Sequence, residues 1–190
     1  MTDFQCMFMN DKDLVLSELK QTLDSIDTAS LEKLVNVILN SDRVFFVGVG
    51  RVLLSLQAIT KRFAHLGIDA HFVGEITEPA ITEKDVLIVG SGSGESMFPL
   101  GIAGKAKKLG AKVVHIGSNP NSSMKEYADF MVRIPVRTKL SLKDEIDSAQ
   151  PMTSLFEQTL LLLGDIIAKI IIEKKDVDMH ELWMYHANLE

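Results

Sequence analysis

Two textures of hydrophobic spacing divide the chain. Before Asn40 the apolar residues recur with a helical period. Leu31, Leu34, Val35, Ile38 and Leu39 fall near i, i+3, i+4, i+7 and i+8, which predicts a helix over Ser30–Asn40 with Ser30 as its N-cap. A first helix is predicted over Asp11–Ile26, and residues 1–10 are read as a loose leader. From Arg43 onward short apolar runs replace the period. Arg43-Val44-Phe45-Phe46-Val47 is β-branched and aromatic and ends in Gly48-Val49-Gly50, the pattern of a buried strand and its exit turn. A helix over Arg51–Leu66 follows, stopped by Gly67. Strands are predicted at Ile68–Val73, Asp85–Val89, Ala111–Ile116 and Phe130–Ile134. Between them lie a helix over Ser96–Leu109, closed by Gly110, and a short one over Met124–Ala128.

This alternation predicts a five-stranded parallel sheet covered by helices on both faces, and right-handed crossovers favour the flavodoxin-like, doubly wound α/β order. Residues 135–151 form a charged connector too long for a simple turn, which marks it as loosely held or functional. A long apolar helix over Thr153–Lys174 and a short one over Asp178–Tyr185 complete the chain.

Composition narrows the function classes. The 190 residues suit one domain, and 46% hydrophobic with 24% charged residues is ordinary for a globular protein. A net charge of −6 lacks the basic footprint of a nucleic-acid binder, so an anionic ligand must be held by local donors. The single cysteine, Cys6, supports neither an internal disulfide nor a cysteine-rich metal site. The first ten residues show no charged start followed by an apolar run, and the apolar stretch Leu155–Ile172 is interrupted by Glu157, Gln158, Asp165 and Lys169. No membrane partner is expected, and the cytoplasm is the expected location.

Ligands of a doubly wound sheet bind beyond the carboxyl ends of its strands. Two glycine turns occupy that edge, Gly48-Val49-Gly50 and Gly90-Ser91-Gly92-Ser93-Gly94-Glu95-Ser96. The second has the makings of a phosphate cradle. Its glycines, Gly94 included, let the backbone N–H groups converge, Ser91, Ser93 and Ser96 add hydroxyls, and a helix N-terminus follows. Other glycine motifs fit poorly. The loop has no Walker lysine, Leu53 stands where a dinucleotide fingerprint needs a third glycine, and Gly92 occupies the place of an elbow serine. Two further residues invite chemistry. Glu157 lies among Leu155, Phe156 and Leu160, where a carboxylate needs a partner or a task, and His65 lies at a helix end, where it suits the dipole.

Together these turns resemble the SIS (sugar isomerase) domain family. The segments Phe63-Ala64-His65-Leu66-Gly67, Gly74-Glu75-Ile76-Thr77-Glu78-Pro79, Gln150-Pro151-Met152-Thr153-Ser154-Leu155-Phe156-Glu157 and His186-Ala187-Asn188-Leu189-Glu190 narrow the resemblance to its 6-phospho-3-hexuloisomerases. It covers residues 11–190 as a single domain. It implies interconversion of 3-hexulose 6-phosphate and fructose 6-phosphate through an enediolate, with no metal or other cofactor, in a homotetramer. It implies Glu157 as the base and His65 as proton donor or orienter, supplied by its own or a neighbouring subunit. It further implies that Gly50, Arg51, Ser91, Ser93, Gly94 and Ser96 hold the substrate and its phosphate, and that a tail bearing His186 reaches a neighbouring site. Two departures stand out: Val52 and Leu53 replace the Ser-Gly that usually follows Gly-x-Gly-Arg, and Glu78 replaces a threonine. Those departures keep two other classes open, a sugar-phosphate sensor that does not turn over and an isomerase of another aldose or ketose phosphate.

Overall fold

A computed structural model describes residues 2–189. Its five strands are β1 (Val44–Val47), β2 (Ala70–Phe72), β3 (Val86–Gly90), β4 (Lys112–Gly117) and β5 (Phe130–Arg133). All pair in parallel, in the order β2-β1-β3-β4-β5. This is the doubly wound arrangement expected from the strand–helix alternation, with its switch point between β1 and β3. The helices are α1 (Asp3–Asp24), α2 (Thr28–Leu39), α3 (Gly50–Ala64), α4 (Met97–Lys108) and α5 (Ser154–Lys175), with single 3-10 turns at Ser123–Glu126 and Glu181–Tyr185.

Side chains of the central strands alternate between two apolar layers. Val44, Phe46, Val86, Ile88, Val114 and Ile116 pack with α2, α3 and α5, whereas Phe45, Val47, Leu87, Val89 and Val113 pack with α4. Both faces are therefore covered, and for that reason β3 carries no polar alternation. Each fully buried Leu, Ile, Val or Phe contributes on the order of 1.5–3 kcal/mol of transfer free energy.

Three local expectations need correction. Residues 3–10 are not a loose leader, because a capping box starts α1 there: Thr2 Oγ1 accepts from the Gln5 N–H (3.2 Å) and Gln5 Oε1 from the Thr2 N–H (2.8 Å). Asp27 and not Ser30 caps α2; its carboxylate accepts from the Ala29 and Ser30 N–H groups, which lowers its pKa. Of the two readings of the connector, the loosely held one fails, because the segment is folded. Val136 bridges Ile146, Glu145 accepts from Ser118 Oγ and the Leu142 N–H (both 2.8 Å), and Arg133 pairs with Asp144 (2.6 Å).

The end of the connector is fastened to α1. The Glu18 carboxylate is buried and accepts from Ser148 Oγ (2.6 Å), the Ala149 N–H (2.8 Å) and Gln150 Nε2 (3.0 Å). Desolvation pushes its pKa up, but these three hydrogen bonds outweigh it and the net shift is downward.

Candidate active site

The two glycine turns follow β1 and β3, so they flank the switch point at the carboxyl edge of the sheet. Gly50 opens α3 with φ +58° and Gly94 lies in the serine loop with φ +68°, conformations that a side chain would strain. At Gly94 even a methyl group would come within 2.1 Å of Ser122 Oγ, so the loop is packed directly on the Asn119–Ser122 turn behind it.

Within the loop the serines do two kinds of work. Ser91 Oγ accepts from the Gly94 N–H (3.1 Å) and Ser93 Oγ from the Glu95 N–H (3.3 Å), which leaves each O–H free to donate. Both serines are buried. Ser96 is the half-buried N-cap residue of α4, and its hydroxyl caps no N–H. The N–H groups of Gly92 and Ser93 engage no partner among the described residues. Glu95 turns outward and is tied to the Ser123 N–H (2.8 Å) and Oγ (2.7 Å), which lowers its pKa. The result is a ring of donors at a helix N-terminus, the requirement for an anion site.

Glu157 enters from the first turn of α5 with only 7% of its surface exposed. One carboxylate oxygen is paired with Arg51 Nε, and the other accepts from Thr153 Oγ1 (2.9 Å). Ser55 Oγ donates to the Glu157 carbonyl (3.0 Å), which fixes α5 against α3 at this point. Arg51 remains largely exposed, so its guanidinium borders solvent while its partner does not. The expected base and the expected Gly50-Arg51 turn therefore meet.

Val52 has a different position from the one its sequence neighbours suggest. A methyl group on Gly90 would lie 2.9 Å from Val52 Cγ1, and one on Gly48 would lie 3.2 Å from it. Its side chain thus wedges between the two glycine turns and supports them. Leu53 is half-buried.

His65 is not brought to this site within one chain. It caps the opposite end of α3, about 21 Å along the helix from Arg51. There its ring stacks on His186 (centroids 5.4 Å apart), and Trp183 lies 5.3 Å beyond His186. Its Nε2 is buried with no hydrogen-bond partner among the described residues. Burial, reinforced by Lys61, Arg62 and His186, lowers its pKa. A cavity of about 380 Å³ opens here between Arg62, Leu66, Asp165, Ala168, Leu182 and Trp183.

Several site-bordering residues escaped the sequence reading. A cavity of about 400 Å³ is lined by Arg137, Thr138, Lys139, Ser148, Gln150 and Thr153. Thr138 packs over Gly92, and Thr153 is hydrogen-bonded to Glu157, so this space adjoins both halves of the site. The connector's charge was the available signal, but its folding over the serine loop depends on Glu145 and Glu18, far apart in sequence. His115 was also missed, although a lone histidine in an otherwise apolar strand was visible. A larger cavity, about 690 Å³, lies at the amino edge of the sheet between Lys33, Asn36, Asp42 and Lys84, remote from this chemistry.

Residues 37–163 match the SIS domain. The chain belongs to the SIS family. A Bacillus subtilis 3-hexulose-6-phosphate isomerase is 39% identical over 176 residues, covering 93% of this chain and 95% of the relative. A Mycobacterium gastri protein of the same description is 36% identical over 181 residues, covering 95% and 90%. Among SIS structures, a Methanococcus jannaschii protein with an inferred molecular function of 3-hexulose-6-phosphate isomerase superposes with a TM-score of 0.81. It is 28% identical, over 95% of this chain and 99% of that one.

Proposed function

We propose that this SIS protein interconverts 3-hexulose 6-phosphate and fructose 6-phosphate. The observation that carries the reading is the buried Glu157 carboxylate, positioned by Arg51 and Thr153 beside a loop of unused N–H and O–H donors. The B. subtilis and M. gastri relatives support the choice of sugar. In the forward direction Glu157 removes the proton from C2 of the 3-ketose. The C2–C3 enediolate forms as the C3 carbonyl oxygen takes up the electron pair; the proton of the C2 hydroxyl passes to that oxygen, and return of the abstracted proton to C3 as the C2 oxyanion closes to a carbonyl gives the 2-ketose. Gly50, Arg51, Ser91, Ser93, Gly94 and Ser96 hold the ligand, its phosphate in the serine loop. The chain's own donors take up the developing oxyanion, and we read the reaction as metal-independent.

His65 belongs to the reading as a residue supplied by a second copy. The chain exposes Phe4, Met7 and Phe8 on α1, Ile76, Met97, Phe98 and Met152 on loops and helix starts, and Trp183 and Met184 near His65. Apolar surface of this extent supports subunit contacts, and a homotetramer in the cytoplasm with His186 near a neighbouring site is the assembly we propose.

The test is Glu157→Gln assayed by NMR in deuterated water. Turnover should fall by about 10³-fold, in the range of a lost general base, with fructose 6-phosphate still bound. Isomerisation retained in that variant would remove Glu157 from the role. Wild-type protein that binds the phosphosugar without incorporating deuterium at C2 or C3 would instead support a sensor.

A further inference from the structure

His115 stands in the middle of β4, between Val114 and Ile116, with its imidazole 2% exposed behind the serine loop. Its Nε2 lies 2.8 Å from the Ser91 carbonyl oxygen. A carbonyl can only accept, so Nε2 carries a proton and donates. The ring has been given room. A methyl group on Gly117 would come within 2.3 Å of Nε2, and one on Gly94 within 3.2 Å of Cε1. Burial lowers the pKa of the ring, opposed in part by the hydrogen bond to Ser91, so a neutral imidazole fills this place near neutrality.

The bond matters because of what shares its peptide unit. The Ser91 carbonyl, which also accepts from the Gly94 N–H (3.2 Å), belongs to the same peptide as the Gly92 N–H. The next carbonyl, of Gly92, accepts from the Ser118 (2.9 Å) and Asn119 (3.2 Å) N–H groups, and its peptide carries the Ser93 N–H. Two successive carbonyls are thus saturated from the protein side, while the two N–H groups on their far ends are unused. Hydrogen bonds to a carbonyl polarise the attached N–H and fix the peptide plane. Successive N–H groups so presented form an anion nest.

We propose that His115 is a positioning residue for the phosphate of the substrate. By engaging the Ser91 carbonyl it orients and polarises the first peptide of the loop, so that the Gly92 N–H meets the anion. This rests on the serine loop being the phosphate site.

The experiment compares His115→Phe, which keeps an apolar ring, with His115→Gln, which keeps a side-chain N–H. Calorimetric affinities for inorganic phosphate and fructose 6-phosphate are measured beside kcat and KM. His115→Phe should weaken both ligands about tenfold, the worth of one polar contact, with kcat within about threefold. His115→Gln should recover most of the loss. A folded His115→Phe protein that binds both ligands within about twofold of wild type overturns the inference. So does a glutamine variant no better than the phenylalanine one. Should the phenylalanine variant fail to fold, a phosphate titration of the labelled wild-type protein decides: the Gly92 amide resonance shifts if the inference holds and stays fixed if it does not. Wild-type protein that binds neither ligand would overturn the phosphate-loop reading itself, and this inference with it.

Discussion

Helices α3 and α5 lie side by side, and their two ends are built on different principles. At the starting end Glu157 is buried, paired with Arg51, hydrogen-bonded to Thr153 and locked through its carbonyl to Ser55. At the far end the Arg62–Asp165 pair (3.3 Å) is half in water, and His65 stacks on His186 beside a largely apolar cavity. The first end is a finished polar arrangement whose groups constrain one another. The second is an aromatic surface where a buried histidine nitrogen has no hydrogen-bond partner among the described residues. A helix of fixed rise cannot fold those ends together. If both carry chemistry for one reaction, as we propose, each copy contributes one half to a site shared with another.

The largest effect should come from separating the halves. Glu157→Gln and His65→Ala proteins, each prepared alone, should lose about 10²-fold or more in turnover, the typical worth of an acid or base. Co-refolded in equal amounts, they should regain activity, because about a quarter of randomly mixed shared sites would hold both native residues. Activity assays before and after mixing read this directly. Two folded variants that mix without any recovery would place His65 outside the shared site.

A stability comparison sharpens the contrast between the ends. Glu18 pins the connector that borders Glu157, and Glu18→Ala would remove the acceptor of three part-buried donors, the Ala149 N–H and the side chains of Ser148 and Gln150. It should cost about 2–3 kcal/mol in urea unfolding. Arg62→Ala at the far end removes a solvent-screened pair and should cost less than about 0.5 kcal/mol. Hydrogen exchange at Ala149 should quicken in the Glu18 variant. Equal costs at both ends would show that the starting end is no more tightly determined than the other.

Most of the architecture was legible because its signals are local. Unalternating runs such as Val86–Val89 announce strands buried on both faces, and the glycines after β1 and β3 mark the ligand edge. Glu157 was legible as a carboxylate among apolar neighbours. Its partner was not, since Arg51 precedes it by 106 positions and only the pairing of α3 with α5 brings them together. The capping box at Thr2 is masked in the sequence because its glutamine, Gln5, is flanked by an unusually apolar exposed face, Phe4, Met7 and Phe8, that reads poorly as a helix in water. In the sequence Val52 is only a replacement for a usual serine; in three dimensions it is a wedge between the two glycine turns. Spacing along a chain identifies elements, while the direction of a side chain at a turn depends on packing that spacing does not encode.

The smallest expected effect concerns pH, and it distinguishes the two ends by their histidines. Burial lowers the pKa of His115 behind the serine loop, and burial with nearby cations lowers that of His65 at the far end. Below the ordinary histidine value of 6.5 the unfolded chain takes up these protons before the folded one does. Stability contributed by the neutral rings is therefore complete above pH 6.5 and declines as the pH falls toward each folded-state value. Carboxylates held low by hydrogen bonds or ion pairs, Glu18 and Asp144 among them, lose their contribution only below their own ordinary values of 4.5 and 3.8. The interval from pH 6.5 to 4.5 accordingly reports the histidines. Urea midpoints measured across it should fall modestly for wild type, and the fall should flatten more in His115→Gln than in His65→Asn, because His115 is the more deeply buried ring. A wild-type midpoint that stays level through this interval would mean that neither ring resists protonation. A greater flattening in the His65 variant would make the far end, and not the back of the serine loop, the more tightly sealed environment.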